Sequence, residues 1–346
     1  MPTRAAMPTR ANPSWIESLP KAELHIHLDG SLEAKRMLQL AKKNGVTLPY
    51  STVADVKQAY NFKDLQSFLD LYYMGASVLC DEDDFYHLMM DYLLQCKSNN
   101  IVHTEIMIEP QTYLPRGIGF ETFMTGFKRA ISDAQQQWGQ SVLLILSLLK
   151  HTTEQECIEV LNMADAWRDE FVALGMASTE IGNPPEKFRE LYKLGKEKGY
   201  HLTTHAGEEG PPEIIWGSLN VMNATRIDHG VRCIEDDELV ACLKERQTAL
   251  TVCPLSNVRL RVFDTMAEHN IIELFKRGLK VTINSDDPAY FGGYLNDNYL
   301  AVANQFDLDE ATILAIVENG FTASYLPEAL QEQYLVEVRA KAEAPA

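Results

Sequence analysis

An α/β fold, a closed (β/α)8 TIM-type barrel with extra helices inserted after strand 1, is predicted by three observations. Eight short β-rich runs alternate with helical intervals along the chain. The length of 346 residues suits one barrel of this kind. Polar residues gather where the runs end, and in a barrel those ends share the rim on which active sites are built. A doubly wound open sheet is the competing architecture.

The runs occupy residues 22–28 (AELHIHL), 101–109 (IVHTEIMIE), 142–149 (VLLILSLL), 171–178 (FVALGMAS), 201–206 (HLTTHA), 226–229 (RIDH), 249–253 (ALTVC) and 280–285 (KVTINS). Between them, stretches such as EKFRELYKLGKEKG and EDDELVACLKERQ repeat apolar residues at three- and four-residue steps, the period of a helix with one buried face. The long helical stretch over residues 50–99 reads as an insertion after strand 1, placed over the catalytic face as a lid or pocket wall. The opening MPTRAA followed by MPTRAN is a tandem duplication, with Met7 an alternative start, and residues 1–14 are expected to be a disordered extension. Residues 15–338 are expected to form one barrel domain, and the polar, Ala/Pro-rich residues 339–346 a frayed tail.

Composition narrows the function. Hydrophobic residues make up 46% of the chain, enough for a large core, yet no run reaches the roughly 18 apolar residues of a membrane span. The N-terminus lacks the apolar centre of a signal peptide, so a soluble, cytoplasmic protein is expected. A formal net charge of −18 repels a phosphate backbone and argues against nucleic acid as a partner, leaving a small neutral molecule as the better match. The cysteines, Cys80, Cys96, Cys157, Cys233, Cys242 and Cys253, are widely spaced without a CxxC and read as buried reduced thiols. Oligomeric state is not legible in the sequence.

His25 and His27 lie two apart in run 1, so both imidazoles point to the same side of a strand. Alone, this pair is better explained by a half-buried strand than by a metal. Adding His205 at the end of run 5 and Asp286 at the end of run 8 gives three imidazoles and a carboxylate on one predicted rim, a set that suits one Zn2+ per chain. Such a site lowers the pKa of water to about 7, which makes hydrolysis or hydrolytic deamination the natural reaction class. A proton donor is then needed, and Glu208, three residues after His205 in HAGEEG, is the candidate. Glu209 and Glu213 are read instead as carboxylates favoured at the start of the helix that follows. His229 in RIDHG, taken alone, is better read as a core histidine bonded to a carbonyl. Asp286 and Asp287 are adjacent carboxylates at the end of an apolar strand, and one facing a metal with the other facing substrate would offset their desolvation. His87, His103, His151, His201 and His269 receive structural readings. A cytidine-deaminase-type zinc motif, a Gly-rich phosphate loop and a GxSxG elbow are all missing.

The set LPKAELHIHLDGSLE, HAGEEG, RIDHG and INSDDPAYFGGY resembles the adenosine and adenine deaminase branch of the amidohydrolase superfamily, from about Leu19 to Val302. The resemblance implies a barrel with one zinc on His25, His27, His205 and Asp286. Run 4 carries no lysine for a second metal. It further implies that Glu208 protonates purine N1, that His229 orients and deprotonates the attacking water, that Asp286 also receives a proton, and that Asp287 hydrogen-bonds N7. Asp29 and Ser178 are carried over as substrate-binding residues. GEEGPPEIIW, TVCPLSN, EPQTY and GNPPEKF are similar to the adenine-specific branch, which implies hydrolysis of adenine to hypoxanthine and ammonia in purine salvage or nitrogen scavenging. The chain departs from that branch in reading HLDGSLE for HLEGTLE and GMASTE for GLDSSE. Asp29 is one methylene shorter than glutamate, so room for adenosine or an N6-substituted adenine is the alternative expectation. A silent purine-binding barrel is disfavoured because every ligand and both proton-transfer candidates are present.

Overall fold

The computed structural model describes residues 10–344 and contains eight parallel strands, one for each expected run. They are β1 (Lys21–His27), β2 (Ile101–Ile108), β3 (Ser141–Leu149), β4 (Phe171–Ala177), β5 (His201–Ala206), β6 (Arg226–His229), β7 (Ala249–Val252) and β8 (Val281–Ile283). Each pairs with the next in parallel register, in sequence order. The ring closes just past the end of β8, where Ile26 bridges Asp286, the His27 N–H donates to the Asp286 carbonyl at 3.0 Å and the Asp286 N–H donates to the His25 carbonyl at 3.1 Å. The seam of the barrel is therefore built from the residues singled out as metal ligands.

Four helices, Ala34–Asn44, Val53–Ala59, Leu65–Ala76 and Glu82–Ser98, lie between β1 and β2. Three of them start at reciprocal caps: Thr52 with Asp55, Asp64 with Ser67, and Asp81 with Asp84. Glu82–Ser98 is an ordinary barrel helix, with Phe85 edge-on to Phe127 of helix Phe120–Trp138 at 5.6 Å between ring centres. Helix Leu65–Ala76 has a different job. Its Leu65, Phe68, Leu69, Tyr72 and Tyr73 form a wall over the barrel mouth, as expected for a lid or pocket wall.

Residues 10–14 and 339–343 make ordered contacts where an extension and a frayed tail are expected. Residues 1–9 lie outside the described residues, but Arg10 already bridges Asp309, the buried Ala11 donates its N–H to the Leu308 carbonyl at 2.8 Å, and Asn12 caps a helix at Pro13–Ser18. Proline at the first helical position and the burial of Trp15 and Ile16 explain why order begins before residue 15. At the other end helix Glu328–Glu343 runs into the expected tail as far as Glu343. Arg339 pairs with Glu318 at 2.7 Å and the Ala342 carbonyl accepts from the Trp15 indole at 3.3 Å; the alanines, lysine and glutamate there favour helix.

Candidate active site

His25, His27, His205, His229 and Asp286 converge at the C-terminal rim. Nε2 of His27 lies 3.1 Å from Nε2 of His205 and 3.3 Å from Oδ1 of Asp286, and Nε2 of His25 lies 3.3 Å from the same oxygen. These separations match the edges, about 3.3 Å, of a tetrahedron with zinc-to-ligand bonds of about 2.0–2.1 Å. Among the described residues the buried Nε2 of His25 has no hydrogen-bond partner. Two overlapping sets of donor atoms, His25, His205, His229 with Asp286, and His27 with Asp286 and Asp287, each fall within 4.8 Å. The residues present fit a borderline-soft divalent ion.

The outer nitrogens of three of these imidazoles face acceptors. Nδ1 of His27 is 2.6 Å from Glu109, whose other oxygen accepts from the Tyr72 hydroxyl at 3.0 Å. Nδ1 of His25 reaches the Thr251 hydroxyl at 2.9 Å and carbonyl at 3.2 Å. Nδ1 of His205 is 3.5 Å from Asp228, whose other oxygen accepts from Thr203 and Thr251 at 2.8 and 3.0 Å. Carboxylates and carbonyls only accept, so Nδ1 of His25 and of His27 carries the proton and Nε2 of each turns a lone pair to the centre, while the His205–Asp228 pair lies just beyond a formed hydrogen bond. Burial pushes His205 down to about 4, against the pull of Asp228. His27 moves up: burial opposes its charge, but Glu109 and Asp287 outweigh it.

Three buried carboxyls around the centre are held in different states. Burial works against ionised Asp286, yet the neighbouring His25 holds it well below the usual range, and the Ser256 hydroxyl donates to its Oδ2 at 2.6 Å. Glu208 and Asp287 are pushed well above that range, by burial first and by the Asp286 charge second. One oxygen of each, Glu208 Oε1 and Asp287 Oδ1, has no partner among the described residues. The loop bearing Glu208 is fixed from below, because the Glu180 carboxylate accepts the N–H groups of Gly207, Glu208 and Glu209 at 2.7, 2.9 and 3.1 Å. Asp287 sits against Gly30, where any Cβ would fall 2.0 Å from its Oδ1. His229 Nε2 faces Glu208 at 3.5 Å and Asp286 at 3.9 Å.

The backbone at this rim is strained in the same places. His229, Asp286 and Ser178 adopt φ of 64°, 65° and 75°, a left-handed conformation that costs a non-glycine residue about 1–3 kcal/mol. One cavity is lined by His27, His205, Glu208, His229, Asp286, Asp287 and Ser178, closed by Leu65, Phe68, Leu69, Tyr72 and Tyr73 and floored by Glu109, Leu149, Ala177 and Leu260. Ser178 is further tied to Nδ1 of His151 at 2.8 Å. Asp29 does not line this cavity. Its carboxyl accepts from the Tyr113 hydroxyl at 2.5 Å and from Thr112 at 3.3 Å, and burial pushes it up to about 7.

Several participants carried no recognisable sequence signal. Glu109 sits in the quoted EPQTY and Asp228 in RIDHG, but nothing local said that either would meet a histidine across the barrel. His269, expected on a helix, is the buried residue between a turn at Met266–Glu268 and helix Ile271–Lys276. Lys150, just past β3, is buried beside the site, and its ammonium donates to the His205 carbonyl.

Comparisons with known proteins agree with this geometry. A family model described as adenosine deaminase matches residues 20–341. A protein named adenine deaminase from Psychrobacter cryohalolentis is 48% identical over 320 residues, 92% of this chain and 96% of that protein. Another of the same name from Bordetella parapertussis is 49% identical over 309 residues, 89% of this chain and 98% of its own. The crystal structure of adenine deaminase from Arthrobacter aurescens superposes with a TM-score of 0.92 at 40% identity, covering 94% of this chain and all of that one.

Proposed function

The chain belongs to the adenosine deaminase family, and on that premise we propose that it hydrolyses adenine to hypoxanthine and ammonia. One observation carries the reading: two buried carboxyls, Glu208 and Asp287, line one cavity with Asp286, each with an oxygen that has no partner among the described residues, and burial together with the Asp286 charge pushes both toward the protonated form. A protonated carboxyl is a hydrogen-bond donor, and adenine offers ring nitrogens N1 and N7 as acceptors. Glu208 donates to N1, which withdraws electrons from C6, and Asp287 donates to N7, which fixes the ring. Water attacks C6, and the 6-amino group leaves as ammonia. His25, His27, His205 and Asp286 are the proposed zinc ligands. When bound there, zinc supplies hydroxide at neutral pH. His229 faces the position of the attacking water, and Ser178 lines the pocket beside the base.

Free adenine is favoured over adenosine by the walls of the cavity and by its relatives. Leu65, Phe68, Leu69, Leu149 and Leu260 present apolar surface where a ribose would need polar partners, and the carboxyl of Asp29 is already engaged by Tyr113. The relatives named adenine deaminase match the chain over nearly its whole length. Cysteines that are all free support the cytoplasm as the place of work. No helix among the described residues is long and apolar enough to cross a membrane.

The test is a comparison of adenine, adenosine and N6-methyladenine with the purified, metal-loaded enzyme, followed by ultraviolet absorbance and ammonia release. Adenine should give the highest kcat/KM. Higher kcat/KM for either of the other two would overturn the assignment.

A further inference from the structure

His229 differs from the other three rim histidines in what holds its outer nitrogen. Nδ1 of His229 is 3.3 Å from the side-chain Nδ2 of Asn257, in the short helix Pro254–Arg259. Oδ1 of Asn257 is 3.2 Å from Nε2 of His269, and Nδ1 of His269 accepts the backbone N–H of Ile271 at 3.1 Å. All three side chains are buried, and the Phe263 ring packs on His269 at 4.4 Å between centres.

The direction of every proton in this chain follows from its last member. A backbone N–H can only donate, so Nδ1 of His269 must present a lone pair. Burial pushes His269 down to about 3, so it is neutral and its one ring proton is on Nε2. That proton goes to Oδ1 of Asn257, which fixes the amide against rotation and points its NH2 at Nδ1 of His229. Nδ1 of His229 must then accept, and the ring proton of neutral His229 lies on Nε2, aimed at Glu208 and Asp286.

We propose that Asn257 and His269 are positioning residues that lock His229 as the Nε2–H tautomer, making it a hydrogen-bond donor into the site. This has two consequences. His229 belongs outside the metal's ligand set even though its Nε2 lies within reach of His25, His205 and Asp286, because a nitrogen that carries hydrogen has no lone pair to give. It also orients the attacking water by donating to its oxygen, and the role of proton acceptor falls to Asp286. The second consequence rests on the deaminase reading; the tautomer itself does not.

The experiment is a long-range 1H–15N correlation spectrum of the zinc-bound enzyme labelled with 15N-histidine, in the wild type and three variants. In the wild type, Nδ1 should be the unprotonated nitrogen and Nε2 the protonated one in both His229 and His269. Asn257→Asp puts an acceptor where the amide donor was and should move the His229 proton to Nδ1, with kcat on adenine down about ten- to hundredfold and KM within about twofold. His269→Gln keeps an N–H donor toward Asn257 and should retain the wild-type His229 pattern, whereas His269→Leu frees the amide and should give a mixture. A wild-type His229 protonated on Nδ1, or an Asn257→Asp spectrum with His229 unchanged, would overturn the proposal. The predicted tautomers in an enzyme that leaves adenine untouched would instead overturn the functional reading alone.

Discussion

Ionisable side chains are buried at both ends of the barrel, and the two ends complete them differently. At the N-terminal end both oxygens of Glu105 are occupied, one by Arg226 at 2.6 Å and the other by the Tyr325 N–H at 2.5 Å, with His103 at 3.4 Å. The Lys21 ammonium there donates to the carbonyls of Ile16, Glu17 and Leu19 at 3.0, 3.2 and 2.7 Å. At the C-terminal rim, His25 Nε2, Glu208 Oε1 and Asp287 Oδ1 have no partner. Burial of charge is common to both ends. What separates them is the kind of atom left open: among the described residues the N-terminal plug leaves one guanidinium N–H, Arg226 Nε, without a partner, whereas the rim leaves a metal-ligating nitrogen and two carboxyl oxygens grouped around one centre.

The comparison can be broken most forcefully at the rim. His205→Ala or His25→Ala should abolish metal binding and reduce adenine turnover to background, read by metal analysis and ammonia release; metal and activity retained would remove that residue from the ligand set. Glu109→Gln leaves the ligands intact but weakens the hold on His27, and should lower zinc affinity about ten- to hundredfold in a chelator competition. At the opposite end Arg226→Ala leaves Glu105 buried and unpaired, and should cost about 3–5 kcal/mol in urea unfolding while kcat and KM of the folded enzyme stay unchanged.

pH should separate the two ends by sign. Burial alone would raise Glu105, but Arg226 and His103 hold it below its ordinary value. Its contribution to stability is therefore present above the unfolded value of about 4.3 and lost as pH falls through the folded one. Glu105→Gln should flatten that acid limb of a stability profile. Glu208 is raised and acts in its protonated form, so kcat/KM should fall as pH rises through its folded value, a fall that Glu105→Gln should leave in place. The smallest effect is expected at Asp29, whose partner Tyr113 donates and is equally served by an amide oxygen. Asp29→Asn should leave the ratio of adenine to N6-methyladenine turnover within about twofold.

Strand periodicity made the eight strands legible, to the residue for β5 and β6 and within two residues at every other end, because each strand needs only its own pattern. Closure of the ring through Ile26 and Asp286 was not legible, since it depends on contacts between opposite ends of the chain. The same distinction runs through the site. His25, His27, His205, Glu208, His229, Asp286 and Asp287 declared themselves by chemistry at strand ends, and the fold brings them together. Glu109, Thr251, Asn257 and His269 support them from sequence positions whose local pattern says nothing of a partner on another strand. Asp29 shows the related limit that a motif gives a residue's neighbourhood and not its rotamer: its carboxyl turns to Tyr113, and Gly30 beside it makes the space for Asp287.

The central claim is that the unsatisfied rim groups are the chemical machinery for adenine, and it is tested most directly by measuring zinc content and adenine turnover in the wild type and Glu208→Gln side by side. About one zinc per chain is expected in both, with equal amounts of hypoxanthine and ammonia from the wild type and a rate lower by about 10²–10⁴-fold in the variant. A zinc-loaded variant that deaminates adenine at the wild-type rate, or a zinc-loaded wild type that leaves adenine intact, would contradict it.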